Sequence, residues 1–323
     1  PIIMAQQKTK PVQKRLYKKW FNVAPGVWGI KDVFVNVYLL HSGEANRWVL
    51  VDAGLPSTAR CKKKEAAHLF WPQTTPAAIV LTHGHFDHTG SLKKLADEWD
   101  VPVYAHYLEA PYLTGHSSYP PPDPTAGGGL LTLLSCFFPR KPKDLNGRLL
   151  LLPEDGQVPG LPGWRYIHTP GHAPGHISLF RESDGVLIAG DAVVTTRQES
   201  LFSVMTQRKK LSGPPKYFTY DWREAESSVN KLADLEPSII ASGHGRPMQG
   251  NAMKAALHRL AAHFDQETVP VSGRYVGESA VAGPSGIEYV PAPHPKEKWY
   301  KAGAALALVG IGALLLHFNT KKD

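Results

Sequence analysis

Four side chains that can bind a metal ion occur within six residues of the segment Thr82-His83-Gly84-His85-Phe86-Asp87-His88-Thr89-Gly90. The apolar run Ala77–Leu81 directly before this segment predicts a buried strand. If the chain leaves the strand extended, His83 and His85 project to the same side, because side chains two positions apart share a face. Their neutral imidazoles are ligands that zinc and other divalent first-row metals accept.

Asp87 and His88 fall at the start of a helix predicted over Ser91–Trp99. Adjacent residues there point to different sides, so this pair is placed to serve a second ion. Clustering so many polar groups without a common partner is costly. The segment therefore predicts a metal site rather than a polar turn.

Three later apolar runs also end in a tight, glycine-containing turn and then a possible ligand. Trp164–His168 is followed by His172 and His176, Val186–Ala189 by Asp191, and Ser238–Ala241 by His244. Mixed or parallel sheets with helices on their faces collect such side chains at one edge. The recurrence predicts that these residues meet the first cluster.

This series, His83-x-His85-x-Asp87-His88 followed by His172, Asp191 and His244, resembles the ligand motifs of the metallo-β-lactamase superfamily of metal-dependent hydrolases. The likeness covers roughly residues 25–265. It implies an α/β fold, the αβ/βα sandwich of two mixed β-sheets flanked by helices. It also implies two divalent ions, zinc first, with iron or manganese as alternatives.

The resemblance also implies a role for each residue. By the family pattern, His83, His85 and His172 hold one ion, Asp87, His88 and His244 hold the other, and Asp191 bridges the two. Asp52 stands where the family often has an acid that orients a ligand histidine, although a turn residue is an equal alternative. His176 is expected beside the ligands rather than on the metal.

Two bridged ions imply hydrolysis by a shared hydroxide, here of an ester, lactone or thioester. Asp87 or metal-bound water would give the leaving group its proton. No G-x-S-x-G elbow is present to supply a serine nucleophile. The alternatives are a metal-binding protein without turnover and a mononuclear iron dioxygenase of a sulfur substrate. A β-lactamase and a nuclease or phosphodiesterase rank lower.

Departures from the family patterns narrow the substrate. Asp191 stands where true metallo-β-lactamases generally have Cys or Ser, which disfavours β-lactams. Val194 stands where acyl-homoserine lactonases usually have Tyr. Glyoxalase II proteins add a helical substrate domain after the last ligand, and only Asn251–Thr268 could supply one here, with Lys254 and Arg259 as candidate contacts to an anion.

An unusual insertion follows the first predicted half of the domain. Gly115–Gly129 is too rich in proline and glycine for regular structure, and the apolar run Leu130–Phe138 is too short to span a bilayer. This arrangement favours a hydrophobic lid or a partner face, with a core helix as the alternative. His116 and Tyr119 of the insertion are candidate substrate contacts.

The net charge of +8 among 323 residues is concentrated at the N-terminus. Residues 1–31 carry seven basic side chains and no acid, and the remainder carries 29 basic against 28 acidic residues. This basic arm, residues 1–24, is expected to be a solvated tail or to attract an anionic membrane surface. Because the body shows no basic stripe interleaved with aromatics, nucleic acid is disfavoured as a partner.

The chain divides into this arm, a hydrolase domain over residues 25–268, a Pro/Gly-rich linker over 269–298 and an apolar tail helix over 299–318. Twenty helical residues measure about 30 Å, which is enough to span a bilayer. Aromatic and lysine residues flank the tail, as interfacial anchoring favours. We therefore expect a transmembrane tail that tethers a cytoplasmic catalytic domain to a membrane, with a buried C-terminal helix as the alternative.

Overall fold

The computed structural model describes residues 19–145 and 147–320, with side chains up to residue 310. The first sheet has seven strands in sequence order, β1 (Trp20–Ala24), β2 (Val27–Asp32), β3 (Val35–His41), β4 (Trp48–Val51), β5 (Ala78–Val80), β6 (Val103–Ala105) and β7 (Leu149–Leu151). Strands β1 to β4 pair antiparallel, and β4 to β7 pair parallel.

The second sheet has five strands, β8 (Trp164–His168), β9 (Ile177–Arg181), β10 (Val186–Ile188), β11 (Ile239–Ala241) and β12 (Met248–Gln249). Its order is β12-β11-β10-β9-β8, and β10 pairs parallel with β11 while the other pairs are antiparallel. A separate hairpin contains β13 (Val281–Gly283) and β14 (Gly286–Tyr289). Both large sheets are therefore mixed, as predicted.

The helices are α1 (Ala59–Leu69), α2 (Phe86–Thr89), α3 (Leu92–Trp99), α4 (Ala110–Leu113), α5 (Leu130–Leu134), α6 (Leu201–Thr206), α7 (Trp222–Asp234), α8 (Asn251–Ala262), α9 (Phe264–Glu267) and α10 (Glu297–Thr320). Short 3-10 helices span Tyr107–Glu109, Ser135–Phe137 and Lys216–Phe218. Helix α7 shows why the longer helices begin where they do. The Asp221 carboxylate accepts hydrogen bonds from the backbone N–H groups of Arg223 and Glu224, which an isolated helix end leaves unpaired.

Three apolar layers hold the sandwich together, and strand alternation sorts residues among them. On β3, Tyr38 and Leu40 enter the layer between the two sheets, where Leu179 and Ile188 of the second sheet meet them. The intervening residue Leu39 faces the opposite way, into the layer under α1 and α3. Helices α7 and α8 cover the outer face of the second sheet. The predicted αβ/βα sandwich is therefore confirmed.

The segment predicted as a linker, residues 269–298, returns to the domain and contains the β13–β14 hairpin. The backbone N–H of Arg274 donates to the Asp123 carboxylate, and the Tyr275 hydroxyl donates to the carbonyl of Pro121. The Pro/Gly-rich insertion is thus held by hydrogen bonds from this later segment. Of the predicted basic arm, residues 1–18 lie outside the described part, and Trp20–Ala24 forms β1.

Across the described part of the chain, no helix combines the length and the apolar character needed to cross a membrane. The prediction of a transmembrane tail, and of a catalytic body tethered to a membrane through it, is therefore wrong. Helix α10 begins at Glu297, which is buried and paired with Arg274 at 2.7 Å. Further along, Ala304 is fully buried and the helix packs against α5. The start of α10 is thus part of the folded domain.

Candidate metal centre

The possible ligands lie where strands of both sheets end at one edge. Parallel neighbours β4 and β5 end just before Asp52 and the segment that begins with Thr82, and parallel neighbours β10 and β11 end just before Asp191 and His244. The carboxyl ends of parallel strands meet at the same edge of a sheet, and that edge is where such folds bind ligands. The fold therefore brings together residues that are distant in sequence.

Seven buried side chains form three overlapping groups whose nitrogen and oxygen atoms lie within 4.8 Å of one another. The groups are His83, His85 and His172; His83, His88 and Asp191; and Asp87, His88 and His244. These are the seven residues that the sequence singled out as ligands. The first and last groups contain the residues predicted for the two ions, and the middle group places Asp191 with one histidine from each.

The first three histidines point their ring nitrogens at one position. His172 Nε2 lies 2.9 Å from His85 Nδ1 and 3.3 Å from His83 Nε2. Neutral imidazoles offer one lone pair each, so this convergence resembles an arrangement for a shared cation more than a set of hydrogen bonds.

Asp191 stands between the groups. Its Oδ2 atom is 3.1 Å from His244 Nε2 and 3.6 Å from the Nε2 atoms of both His88 and His172. Asp87 Oδ2 lies 3.5 Å from His244 Nε2 on the other side. One carboxylate oxygen thus lies within 3.6 Å of histidines from both predicted ligand sets.

Asp52 orients the cluster from beneath. His88 Nδ1–H donates to Asp52 Oδ2 at 2.8 Å, which turns His88 Nε2 towards Asp191. The same carboxylate accepts from the backbone N–H and the hydroxyl of Thr82, each at 2.8 Å. Asp52 has a left-handed backbone with φ of 62°, a conformation in which Asp is enriched among non-glycine residues.

His244 and His176 are held by different partners. His244 Nδ1–H donates to the carbonyl of Phe34 at 2.8 Å, leaving its Nε2 towards Asp191. His176 Nε2 accepts the backbone N–H of Asp191 at 2.8 Å, and its Nδ1–H donates to the Thr169 hydroxyl at 2.8 Å. Both nitrogens of His176 therefore have protein partners, as expected for a residue beside the ligands.

Burial sets the protonation of most of the histidines. It lowers the pKa of His83, His85 and His176 well below the ordinary value, and the positive charge of His88 lowers it further. Burial also lowers the pKa of His172 to about 3. These four imidazoles are neutral at pH 7, which is the form that binds a metal.

Charge interactions dominate the rest of the cluster. Burial opposes protonation of His88, but the Asp52, Asp191 and Asp87 carboxylates outweigh it and raise the His88 pKa well above its usual range. Burial alone would raise the pKa of Asp191, yet His244 and His88 lower it well below the ordinary value. Asp191 is therefore an anion in a buried setting.

The donor set fits divalent cations. Within the described residues, His88 Nε2 and Asp191 Oδ1 are buried without a hydrogen-bond partner. In the same part of the chain, no lysine or arginine pairs with the buried carboxylates of Asp52, Asp87 and Asp191, whose charged neighbours are histidines. Buried carboxylates require a compensating charge, and imidazole with carboxylate is a common zinc environment.

An apolar cavity of about 110 Å³ opens onto this cluster at His85, Asp87, Asp191 and His244. Its other walls come mainly from Phe34, the apolar segment Leu130–Phe138, helix α6 and the 3-10 helix Lys216–Phe218. We refer to it below as the apolar cavity. It borders four of the seven possible ligands.

The two candidate substrate contacts of the insertion have different positions. The Tyr119 ring lies 4.4 Å from the His85 ring, and its hydroxyl contacts the backbone N–H of Gly84 at 2.9 Å. His116 is exposed, its Nδ1 pairs with the Thr114 hydroxyl at 2.7 Å, and it is not among the described residues that line the apolar cavity. His116 follows the end of α4 and turns to the surface.

Sequence reasoning missed two polar residues of the site. Glu109 is fully buried and accepts hydrogen bonds from the backbone N–H groups of Gly84 and Gly175. Gln198 is 2% exposed and lines the apolar cavity. Neither belongs to a motif, and only the distant contacts that the fold creates could have identified them.

The comparisons with known proteins agree with this geometry. The family model described as "Metallo-beta-lactamase superfamily" matches residues 30–244. The chain is 47% identical over 242 residues to a protein of Bacillus subtilis (strain 168) named "Probable metallo-hydrolase YflN", and the match covers 75% of this chain and 92% of the relative. The protein therefore belongs to the metallo-β-lactamase superfamily.

Solved structures show the same fold. A β-lactamase domain protein from Burkholderia ambifaria aligns with a TM-score of 0.52 at 22% identity, covering 79% of this chain and 76% of that chain. A metallo-β-lactamase family protein from Thermus thermophilus aligns with a TM-score of 0.50 at 22% identity, covering 75% and 80%. At this identity, the likeness bears on the fold alone.

Proposed function

We propose that this protein is a metal-dependent hydrolase that uses two divalent ions to cleave an ester, lactone or thioester. The observation that carries the proposal is the convergence of seven buried side chains from four separate turns on one cluster. The name of the Bacillus relative, a probable metallo-hydrolase, supports the reaction class. It does not specify the substrate.

In this proposal, His83, His85 and His172 hold one ion, Asp87, His88 and His244 hold the other, and Asp191 contacts both. The imidazole and carboxylate donors suit zinc, with iron or manganese as alternatives. When bound, such a pair supplies Lewis acidity that activates water and polarises the bond to be cleaved. Asp52 keeps His88 in the tautomer whose Nε2 faces the centre.

The walls of the apolar cavity support water as the nucleophile. Among the described residues that line it there is no serine, threonine, cysteine or lysine. Asp87 also lines the cavity. A carboxylate at this position can pass a proton to the leaving group.

The test combines elemental analysis with a substrate screen. The purified protein should contain about two equivalents of zinc, iron or manganese. It should hydrolyse at least one compound from a panel of esters, lactones and thioesters, with phosphodiesters and β-lactams as comparison classes. Removal of the metal by a chelator should abolish this rate, and restoring the metal should return it.

Asp191→Asn should lower both the metal content and the rate, the rate by more than about 100-fold, because it weakens contacts to both ions. His263→Ala, which alters an exposed histidine, is the matched control and should change neither quantity. The proposal is overturned if Asp191→Asn retains full metal content and full turnover. It is also overturned if chelation leaves the rate intact.

A further inference from the structure

A second concave surface borders the turn that carries His244. This groove measures about 510 Å³ and contains none of the seven possible metal ligands. Its charged side chains are Lys19, Lys31, Lys209 and Arg246, and the described residues that line it include no aspartate or glutamate. We call this surface the basic groove. Four positive charges therefore line one groove without a negative charge among them.

The four cations have no ion-pair partner within the part of the chain that the structure describes. The segment before Lys19 cannot supply one, because residues 1–18 contain no aspartate or glutamate. The two cations of α8 that the sequence offered as anion contacts differ in this respect. Lys254 pairs with Glu236 at 3.8 Å, and Arg259 pairs with Glu267 at 2.6 Å. The basic groove is thus the better candidate for binding an anion.

Hydrogen bonds fix the backbone positions from which three of the cations extend. The backbone N–H of Lys31 donates to the carbonyl of Lys19 at 3.3 Å, and Lys31 stands opposite Asn36 in the β2–β3 pair. The side-chain amide of Asn36 donates at 2.7 Å to the carbonyl of Gly245, the residue before Arg246. The fold therefore brings these three residues to one place, although they are distant in sequence.

The fourth cation is attached to the same turn. Lys209 precedes Lys210, whose backbone N–H donates to the carbonyl of Thr195 at 3.1 Å, and Thr195 forms a parallel bridge with Gly245. Gly245 lines the basic groove, and the preceding residue, His244, lines the apolar cavity. The basic groove and the metal centre therefore share one turn.

The charges in the basic groove favour an anion that carries more than one negative charge. Burial lowers the pKa of Lys31, and the Arg246 guanidinium lowers it further, which shows that these two cations repel each other. A phosphate monoester brings a charge of about −1.5 to −2 at pH 7 and three acceptor oxygens, whereas a carboxylate brings one charge. Arginine can bind two phosphate oxygens side by side, and lysine adds further N–H donors.

We propose that the basic groove binds a small molecule through a phosphate group. The inference goes beyond the proposed hydrolysis, because no residue of the groove is a possible metal ligand. Binding in the groove can therefore be measured without turnover.

The primary test is calorimetric titration of the metal-loaded protein at low ionic strength, where charge screening is weak. The probes are glycerol 3-phosphate, glycerate and glycerol, which carry a phosphate, a carboxylate and no charge on similar three-carbon frames. Glycerol 3-phosphate should bind about tenfold more tightly than glycerate, because it makes more charge-assisted hydrogen bonds. Glycerol should not bind. Equal affinity for all three compounds would overturn the proposal.

A pair of double variants tests the location. Lys31→Gln with Arg246→Gln should weaken glycerol 3-phosphate binding by at least about tenfold, because two charged donors are lost. Lys63→Gln with Lys254→Gln removes the same net charge at other surfaces and should leave the affinity unchanged. Thermal melts will verify that both proteins are folded. Equal losses in the two double variants would show that only net charge matters and would overturn the groove assignment.

A second titration, after removal of the metal by a chelator, separates the basic groove from the metal centre. Metal ions also bind phosphate, but binding in the groove should persist in the metal-free protein. Binding that disappears with the metal and is unaffected by Lys31→Gln with Arg246→Gln places the phosphate on the ions and overturns the proposal.

A single-stranded oligonucleotide tests the alternative of a nucleic-acid surface. If it binds more than about 100-fold more tightly than glycerol 3-phosphate, with an affinity that falls steeply as salt rises, the small-molecule assignment is overturned. The outcomes also separate this inference from the proposed function. Phosphate binding without hydrolysis of any ester, lactone or thioester supports the groove and contradicts the proposed function, and hydrolysis without phosphate binding does the reverse.

Discussion

Replacing Glu109 should destabilise the protein and weaken its metal centre together, because this side chain joins two of the turns that carry histidines. Glu109 is fully buried at the end of a 3-10 helix. Its Oε2 accepts the backbone N–H of Gly84 at 2.7 Å, and its Oε1 accepts that of Gly175 at 2.8 Å. The Tyr119 hydroxyl also donates to Oε2.

The hydrogen bonds of Glu109 determine how much stability the variant should lose. Glu109→Ala leaves the backbone N–H of Gly175 and the Tyr119 hydroxyl without their acceptor, while the N–H of Gly84 keeps the Tyr119 oxygen at 2.9 Å. Each unsatisfied buried donor costs about 1–3 kcal/mol, so the loss should be about 2–6 kcal/mol in the free energy of unfolding of the metal-free protein. Tyr119→Phe removes one donor and leaves the other two paired, so it should cost only about 1 kcal/mol.

The free energy of unfolding of the wild type should also depend on pH through Glu109. Burial raises the pKa of Glu109 from 4.5 to about 7, despite hydrogen bonds that oppose the shift. The native state therefore holds this proton more tightly than the unfolded state, and stability falls as pH rises from about 4.5 through 7. At about 1.4 kcal/mol per pKa unit, the ionisation costs the wild type about 3 kcal/mol. Glu109→Gln, which has no such proton, should lack this pH dependence.

The assay is urea unfolding of the metal-free protein between pH 4.5 and 8, beside a chelator competition that measures metal affinity. Metal affinity of Glu109→Ala should fall by about 10–100-fold, as for other groups that orient ligands. Glu98→Ala, at a surface glutamate, is the control. A loss of less than about 1 kcal/mol would refute the reasoning about the buried donors, and full metal affinity in a destabilised variant would refute the positioning role.

Three further perturbations have defined outcomes. Asp52→Asn should keep its left-handed backbone, which Asn tolerates, but weaken metal binding by about 10–100-fold; unchanged affinity in a chelator titration would contradict the orienting role. Glu297→Ala should cost about 3 kcal/mol in urea unfolding because it strands the buried Arg274 guanidinium, and the double variant Glu297→Leu with Arg274→Met should recover most of that loss. Burial lowers the pKa of His106 to about 4 and also that of His168, which stacks on it. As pH falls, the unfolded state therefore binds protons on these two histidines before the folded state does. The stability that the neutral pair provides should be present above pH 6.5 and be lost as pH falls towards 4. His168→Gln should flatten the stability profile between pH 4 and 6.5, and an unchanged profile would show that the pair does not titrate as described.

Much of the fold was predictable because local patterns and tertiary contacts agree in this chain. The predicted strands Trp48–Val51 and Trp164–His168 match the observed bounds, and the helix predicted over Ser91–Trp99 is observed as Leu92–Trp99. Each possible ligand follows an apolar run. Alignment of those runs into two sheets was then sufficient to bring the ligands together.

Residues outside such runs could not be predicted. Glu109 joins two turns by accepting hydrogen bonds from main-chain N–H groups. Because almost every residue has such a donor, no sequence pattern identifies Glu109 as its acceptor. Gln198 is distinguished only by a buried carbonyl oxygen, Oε1, that has no hydrogen-bond partner within the described part of the chain. His116 had the right residue type for a site contact, but the direction in which a proline-rich loop turns is not encoded by composition.

The wrong prediction of a transmembrane tail has a related physical origin. It concerns α10 and its contact with α5, two segments that the sequence presented as separate features. Hydropathy counts apolar residues along a helix but does not reveal whether a protein surface receives them. Here α10 packs on α5, with Ala304 buried, while Leu131 of α5 lines the apolar cavity. Helix α5 therefore contacts α10 and also contributes to the wall of the apolar cavity. The sequence indicated a hydrophobic lid or partner face and an apolar tail as separate features, and in the folded protein the two segments are in contact.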